Sequence, residues 1–338
     1  MNIWKISLAA LSCAALLMQG CKKDSDDSKL YMDGSLSLAV PSYVTEGYTK
    51  SFNIDTLMTV TRGDGGAIGY YFKDPATAVY DTLVDGDGTV LKKVFTFEIP
   101  DTVGNLSITL GAFTTDGVYY GTSTSKTFTA VKSGLDGDGS ITGFTKYLTD
   151  KLYTDPRDGR EYYYTNISGT DWMRQNLAWE GAGHAYADCD VMSDIFGRYY
   201  SWEEAQTACP EGWRLPEDAD WVALGKEFGK SAEPGKDLQG LAGSLMQNLY
   251  FNGTRMWEFW RDVKITDKSG LSVMPSGYML FDGDKSENKS LYKYAAFWTS
   301  DGEDGKGVLR YFYQDKDIIY RGLMSVTDFG STVRCVRK

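Results

Sequence analysis

Three kinds of side chain in this sequence could carry covalent or acid–base chemistry: thiols, an imidazole and carboxylates. The cysteines are Cys13, Cys21, Cys189, Cys209 and Cys335, and His184 is the one histidine. No Cys-x-x-Cys pair occurs, so a zinc site of the usual Cys/His kind has no ligand set. Cys189 sits in Ala187-Asp188-Cys189-Asp190, and neighbouring carboxylates raise a thiol pKa, which makes a poor nucleophile. His184, between Gly181-Ala182-Gly183 and Ala185, reads as an exposed loop residue, and no Gly-x-Ser-x-Gly elbow accompanies it. Asp and Glu are plentiful, but most fall in glycine-rich turns, so no carboxylate pair of the glycosidase kind stands out. The residues point to no catalytic centre and no cofactor.

The composition narrows the partners. A net charge of −11, without a Lys/Arg run, disfavours nucleic acid, whose phosphates must be neutralised. Apolar residues at 42% suffice for real cores. The 23 Tyr and nine Trp suit both strand faces and adaptable binding surfaces.

Residues 1–20 have the layout of a secretory signal. Lys5 supplies the positive start, and the apolar run Ile6 to Met18 is too short to span a bilayer. Leu17-Met18-Gln19-Gly20-Cys21 resembles a bacterial lipobox, which implies cleavage before Cys21 and lipid attachment to its sulfur. Residues 21–30 read as a solvated tether. The Lys and acidic residues after Cys21 resemble a surface-export signal of gut-type Gram-negative bacteria. The expectation is an outer-membrane lipoprotein at the cell surface, touching the membrane through its N-terminal lipid only. Cys13 would leave with the signal and Cys21 would carry lipid, leaving three thiols and at most one disulfide.

Residues 31–132 carry period-two runs: Ser35–Val40, Lys93–Ile99, Leu106–Leu110 and Lys126–Val131. About seven short strands predict an all-β sandwich that resembles immunoglobulin-like architecture, without the Cys…Trp…Cys signature. Arg62-Gly63-Asp64 matches the integrin-binding tripeptide but reads as a turn. Asp85-Gly86-Asp87-Gly88 and Asp136-Gly137-Asp138-Gly139 lack the ligand count of a calcium loop. Asp55-Thr56-Leu57, Asp81-Thr82-Leu83 and Asp101-Thr102-Val103 resemble O-glycan acceptor triplets of some gut bacteria. Residues 133–145, rich in Gly, Asp and Ser, read as a linker.

Residues 146–338 form the second domain. Here Asp158–Tyr162, Trp172–Leu177, Gly197–Ala205, Ala208–Pro216, Ser272–Gly277, Phe297–Ser300 and Ser331–Val336 follow in order. This ordered set resembles the Fibrobacter succinogenes major paralogous domain family, over about residues 152–338. The resemblance implies an α+β C-type-lectin-like fold, a superfold that also holds formylglycine-generating enzymes. Ser201 with Glu204 forms a capping-box pattern, and Trp202, Ala205 and Ala208 share one helical face. A second helix opens at Pro216 with Trp221, Leu224 and Phe228 as its buried stripe, and strands are expected at 297–299, 308–313 and 332–337. The resemblance further implies a disulfide between Cys209 and Cys335, with Cys189–Cys209 as the competing pair.

On lectin-like folds, long loops around the central strands form the binding face. Asp282–Gly330 supplies Asp301, Glu303, Asp304, Tyr311, Tyr313, Asp315, Asp317 and Tyr320 as candidate ligand-binding residues, with Asp282, Asp284, Glu287, Asn288, Tyr292 and Tyr294 in the same stretch. The calcium-dependent sugar motifs Glu-Pro-Asn and Gln-Pro-Asp are absent, and calcium has no support. The implied function is a non-catalytic surface head that binds an extracellular protein or glycan. The alternatives are a subunit of a surface assembly, such as a fimbria or polysaccharide-uptake complex, and an enzyme of the formylglycine-generating kind.

Overall fold

The computed structural model describes residues 29–57, 59–135, 139–228 and 232–337. The expected signal segment, Cys21 as the expected lipidation site and residues 136–138 lie outside the described residues. The chain is β-rich, with several separate sheets.

The first sheet system uses β1 (Tyr43–Val44), β2 (Thr49–Asn53), β3 (Gly69–Lys73), β4 (Tyr80–Val84), β5 (Val94–Glu98), β6 (Gly104–Phe113) and β7 (Thr122–Ala130). One sheet runs β1-β7-β6-β3-β4 and the other pairs β2 with β5. Alternation decides which face is buried: Phe95 and Phe97 point inward while Val94, Thr96 and Glu98 are exposed. The Phe72 and Phe95 rings, one from each sheet, stack at 4.5 Å between centroids. Ser35–Val40 is not a strand. Its expected alternation does hold, since Leu36, Leu38 and Val40 pack on the core, but the segment is extended and forms no strand ladder. Arg62 is turned inward. Its guanidinium pairs with Asp64 at 2.7 Å and Asp116 at 2.5 Å and covers the Tyr119 ring, so the tripeptide does not display its arginine.

The second system begins within the expected linker. Ser140 and Ile141 are buried, and β8 (Ile141–Thr142) pairs with β13 (Tyr250–Phe251). Val131, Ile141, Cys189, Phe196 and Phe251 share one apolar cluster, flanked by Tyr43 and Tyr186, whose rings meet edge-on at 5.8 Å. One sheet joins β9 (Lys151–Thr154), β10 (Glu161–Ile167), β11 (Thr170–Met173) and, at its edge, β20 (Val336–Arg337). A second runs β12-β18-β17-β16, with β12 Leu238–Gln239, β16 Tyr294–Glu303, β17 Lys306–Tyr313 and β18 Ile318–Met324. A third runs β15-β14-β19, with β14 Tyr278–Asp282, β15 Lys285–Lys289 and β19 Phe329–Gly330. The strand expected over 332–337 is shorter: only 336–337 pair regularly, while Ser331 and Thr332 make isolated bridges.

Two helices brace these sheets. Helix α1 (Trp202–Ala208) starts at Ser201, whose hydroxyl accepts from the Glu204 N–H while Glu204 accepts from the Ser201 N–H, the capping box read from sequence. Ala205 and Ala208 are buried, and Trp202 anchors by donating Nε1–H to the Thr299 carbonyl at 2.9 Å. Helix α2 (Asp218–Glu227) buries Trp221 and Leu224, with Phe228 packed at its end. The Cys209–Cys335 disulfide joins the end of α1 to the segment before β20, with Cα atoms 5.8 Å apart.

A buried polar network lies below β10 and β11. Arg174 pairs with Asp150 and donates to the Gly270 carbonyl and the Ser272 hydroxyl. Arg334 is fully buried and donates to Asn176 and to the carbonyls of Met173, Leu271 and Ser272. Burial, with the neighbouring Arg174 charge adding to it, pulls the Arg334 guanidinium down to about 9. Burial pushes the Asp267 carboxyl up to about 6, outweighing its bonds from Ser272 and the nearby Arg174 charge.

Candidate functional site

The sheet β12-β18-β17-β16 presents different residues on its two faces. Ala295, Phe297, Phe312 and Ile319 enter one core with Trp221. The alternate positions Ala296, Trp298 and Leu309 enter a second core, and Tyr294, Tyr311, Tyr313 and Tyr320 continue that face outward.

Register brings these tyrosines together. Tyr294 lies opposite Tyr313, and Tyr311 lies opposite Tyr320. Tyr311 faces the small Ala296, which leaves room for Tyr294 to stack diagonally on it at 5.3 Å. Tyr311 stacks on Tyr320 at 5.1 Å with 14° between planes, and Tyr313 meets Tyr294, Tyr311 and Tyr320 edge-on. Ring contacts continue inward through Tyr278 and Phe329 to the buried Trp298. Such pairs contribute roughly 0.5–1.5 kcal/mol each, so the face is preorganised rather than assembled by a ligand. Tyr313 is 44% exposed, Tyr311 and Tyr320 are half-buried, and Tyr294 is buried.

Among the described residues, no hydrogen-bond partner occupies the hydroxyls of Tyr294, Tyr311, Tyr313 or Tyr320. Burial raises the Tyr294 and Tyr311 hydroxyls, with the neighbouring tyrosines adding to it, so both are neutral phenols that can donate and accept. The arrangement offers ring faces and hydroxyls.

The carboxylates singled out from sequence are dispersed. Asp301, Glu303 and Asp304 lie at the far end of the β16–β17 hairpin, away from the tyrosines. Asp301 accepts the Asp218 N–H at 2.6 Å at the start of α2, and Glu303 pairs with Arg321 at 2.6 Å. Asp304 sits in the turn with φ 53°. Asp317 accepts the Gly243 N–H through its carboxylate and the Gly240 N–H through its carbonyl. Asp315, two residues after Tyr313, pairs with Lys316 at 3.6 Å. The stretch expected as long loops is mainly strand: Asp282, Glu287, Asn288, Tyr294, Tyr311, Tyr313 and Tyr320 all lie in β14 to β18. The polar run Lys285–Lys289 becomes strand because it pairs residue for residue with Tyr278–Asp282 in a projecting hairpin.

A second concavity, about 530 Å3, is lined in part by His184, Asp188, Ser201, Glu204, Phe281 and Lys285. His184 is exposed and meets the Phe281 ring at 4.9 Å with the planes tilted by 45°. Ser, His and acid meet here, but Ser201 Oγ donates to Glu204 at 2.9 Å, and no hydrogen bond joins it to His184. Cys189 is a buried free thiol donating to the Ala187 carbonyl. Among the described residues no group of three or more His, Cys, Asp or Glu could hold a metal, and no helix is long and apolar enough to cross a membrane.

One aromatic pair escaped the sequence reading. Phe259 is 73% and Trp260 40% exposed, in a loop anchored by the buried Trp257 and Val263. The signal available was Glu258-Phe259-Trp260-Arg261-Asp262, two large rings inside a charged run that offers no strand or helix period.

No curated protein and no solved structure matches this chain. Residues 165–337, just over half of the chain, match the model of the Fibrobacter succinogenes major domain. They span the tyrosine face, both helices and the disulfide. The chain belongs to the Fibrobacter succinogenes major domain family.

Proposed function

We propose that this chain is a lipid-anchored outer-membrane protein whose C-terminal domain, residues 146–338, is a C-type-lectin-like head that binds an extracellular protein or glycan. The observation that carries this reading is the tyrosine face: four rings fixed against one another, with hydroxyls that no group among the described residues occupies. A large, rigid, amphipathic surface costs little conformational entropy on binding. The lipobox-like Leu17–Cys21 supports the anchor, and the two-sheet stack over residues 31–132 supports an immunoglobulin-like spacer between membrane and head. Binding without covalent chemistry accords with Cys209 and Cys335 being joined and Cys189 being buried.

The test is an array of extracellular-matrix proteins and glycans probed with the whole extracellular chain and its Tyr313→Ala variant. The reading predicts specific signals that the variant loses. Signals that the variant keeps in full would remove the tyrosine face from the function. Metabolic labelling with a radioactive fatty acid, lost in Cys21→Ala, tests the anchor separately.

A further inference from the structure

The Phe259–Trp260 loop meets the tyrosine sheet at one place. Glu258 Oε2 accepts the Gln314 side-chain N–H at 3.0 Å, and Gln314 directly follows Tyr313. The turn joining β17 to β18, residues 314–317, is therefore bracketed by exposed aromatics. Tyr313 stands on the side of Trp298 and Leu309, and the loop stands on the side of Trp257 and Phe312. The loop is built to hold its rings out. Trp257 is buried with its Nε1–H on the Val273 carbonyl at 2.9 Å, Val263 is buried, and the Val263 N–H closes the loop on the Trp260 carbonyl at 3.1 Å. Two large rings kept in water between two buried anchors are a surface awaiting cover.

Charge limits what can cover it. Around this turn stand four acids, Glu258, Asp262, Asp315 and Asp317, and three bases, Arg261, Lys293 and Lys316. Arg261 pairs with Asp262 at 3.2 Å and Lys316 with Asp315 at 3.6 Å. The Asp317 carboxylate is engaged by the Gly243 N–H, and on a chain of net charge −11 this end carries a single excess acid. It exerts little net field on a polyion, whereas free phenol hydroxyls and separated ring faces suit a ligand that is polyhydroxylated, uncharged and long enough to cross a turn.

We propose that the Phe259–Trp260 loop and the tyrosine face together bind a neutral polysaccharide laid across residues 314–317. This rests on the reading of the tyrosine face as a binding surface, and it names the ligand class and a second contact region. The whole extracellular chain should be run by native electrophoresis through gels containing galactomannan, xyloglucan or arabinoxylan as neutral probes, and polygalacturonate or heparin as charged ones. Retardation is expected in at least one neutral gel. Trp260→Ala and Phe259→Ala should each weaken it about tenfold, the equivalent of one lost stacking contact, and Trp260→Phe should retain most of it. Both residues are exposed, and an unchanged near-ultraviolet circular dichroism spectrum outside the Trp260 contribution confirms the fold. Retardation lost in Tyr313→Ala but unchanged in Trp260→Ala overturns this inference and spares the tyrosine face. Retardation by the polyanions alone, or in no neutral gel while a protein ligand is retained on the array, overturns the neutral-polysaccharide assignment. Retardation unaffected by any of the three alanine variants overturns both.

Discussion

The rings of Tyr311 and Tyr320 face each other across β17 and β18, 5.1 Å apart and within 14° of parallel. That pair sets the tilt of Tyr313, which meets both edge-on. Tyr320→Phe keeps the stack and removes one hydroxyl. It should weaken ligand binding by about 1 kcal/mol, the net worth of a hydrogen bond. Tyr320→Ala, which also frees Tyr311 and Tyr313, should weaken it by roughly 2–3 kcal/mol. Isothermal titration of both variants checks the order; equal losses would mean that the ring contributes nothing.

The disulfide closes a loop with a sequence separation of 126. In the chain-entropy model that constraint stabilises the fold by roughly 4–5 kcal/mol. The Cys209→Ser, Cys335→Ser double variant should lose about that much in urea unfolding. A loss below about 1 kcal/mol would contradict the stabilising role.

Much of this architecture is legible in the sequence. The capping box at Ser201 and Glu204, the stripe Trp221 and Leu224 and the partnership of Cys209 with Cys335 follow from local chemistry or from the ordered family blocks. Arg174 and Arg334 are a different matter. A guanidinium gives no sign in sequence that it will be fully buried, because burial depends on carbonyls from Gly270 to Ser272, some 60 to 100 residues away. The tyrosines were legible as candidates, but their union was not. Only strand register shows that Tyr294, Tyr311, Tyr313 and Tyr320 share one face while Asp301, Glu303 and Asp304 belong to the opposite end of the hairpin. Ser35–Val40 has the right alternation for a strand yet pairs with no neighbour, since alternation reports burial and not partnership.

Asp267 carries a pH signature of known sign. Burial first, against bonds from Ser272 and the Arg174 charge, pushes it up to about 6 from 3.8. The folded protein then holds this proton where the unfolded chain releases it. Its contribution to stability is favourable below about pH 4 and is lost as pH rises through about 6, a swing on the order of 2–3 kcal/mol. Asp267→Asn cannot titrate. Stability of the wild type relative to this variant should fall between pH 4 and pH 7. A difference that is flat or rises over that range contradicts the assignment.

Trp202 lies over Gly307, where a Cβ would come within 2.3 Å of its ring and 2.9 Å of Trp298. Gly307→Ala should displace Trp202 from the Thr299 carbonyl and destabilise the domain by roughly 1–3 kcal/mol. Thermal unfolding checks this. Ser201→Ala, at the cap directly before Trp202, should cost about 1 kcal/mol through the lost cap.

The most direct test of the tyrosine face is nuclear magnetic resonance of the chain from residue 21 onward with its tyrosine rings selectively labelled, titrated with the glycan or protein that the array retains. The ring signals of Tyr311, Tyr313 and Tyr320 should move together with one saturation curve, while Tyr70 and Tyr162 in the two interiors stay still. Shifts confined to residues around the His184–Phe281 cleft, with the three tyrosines unmoved, would contradict the account.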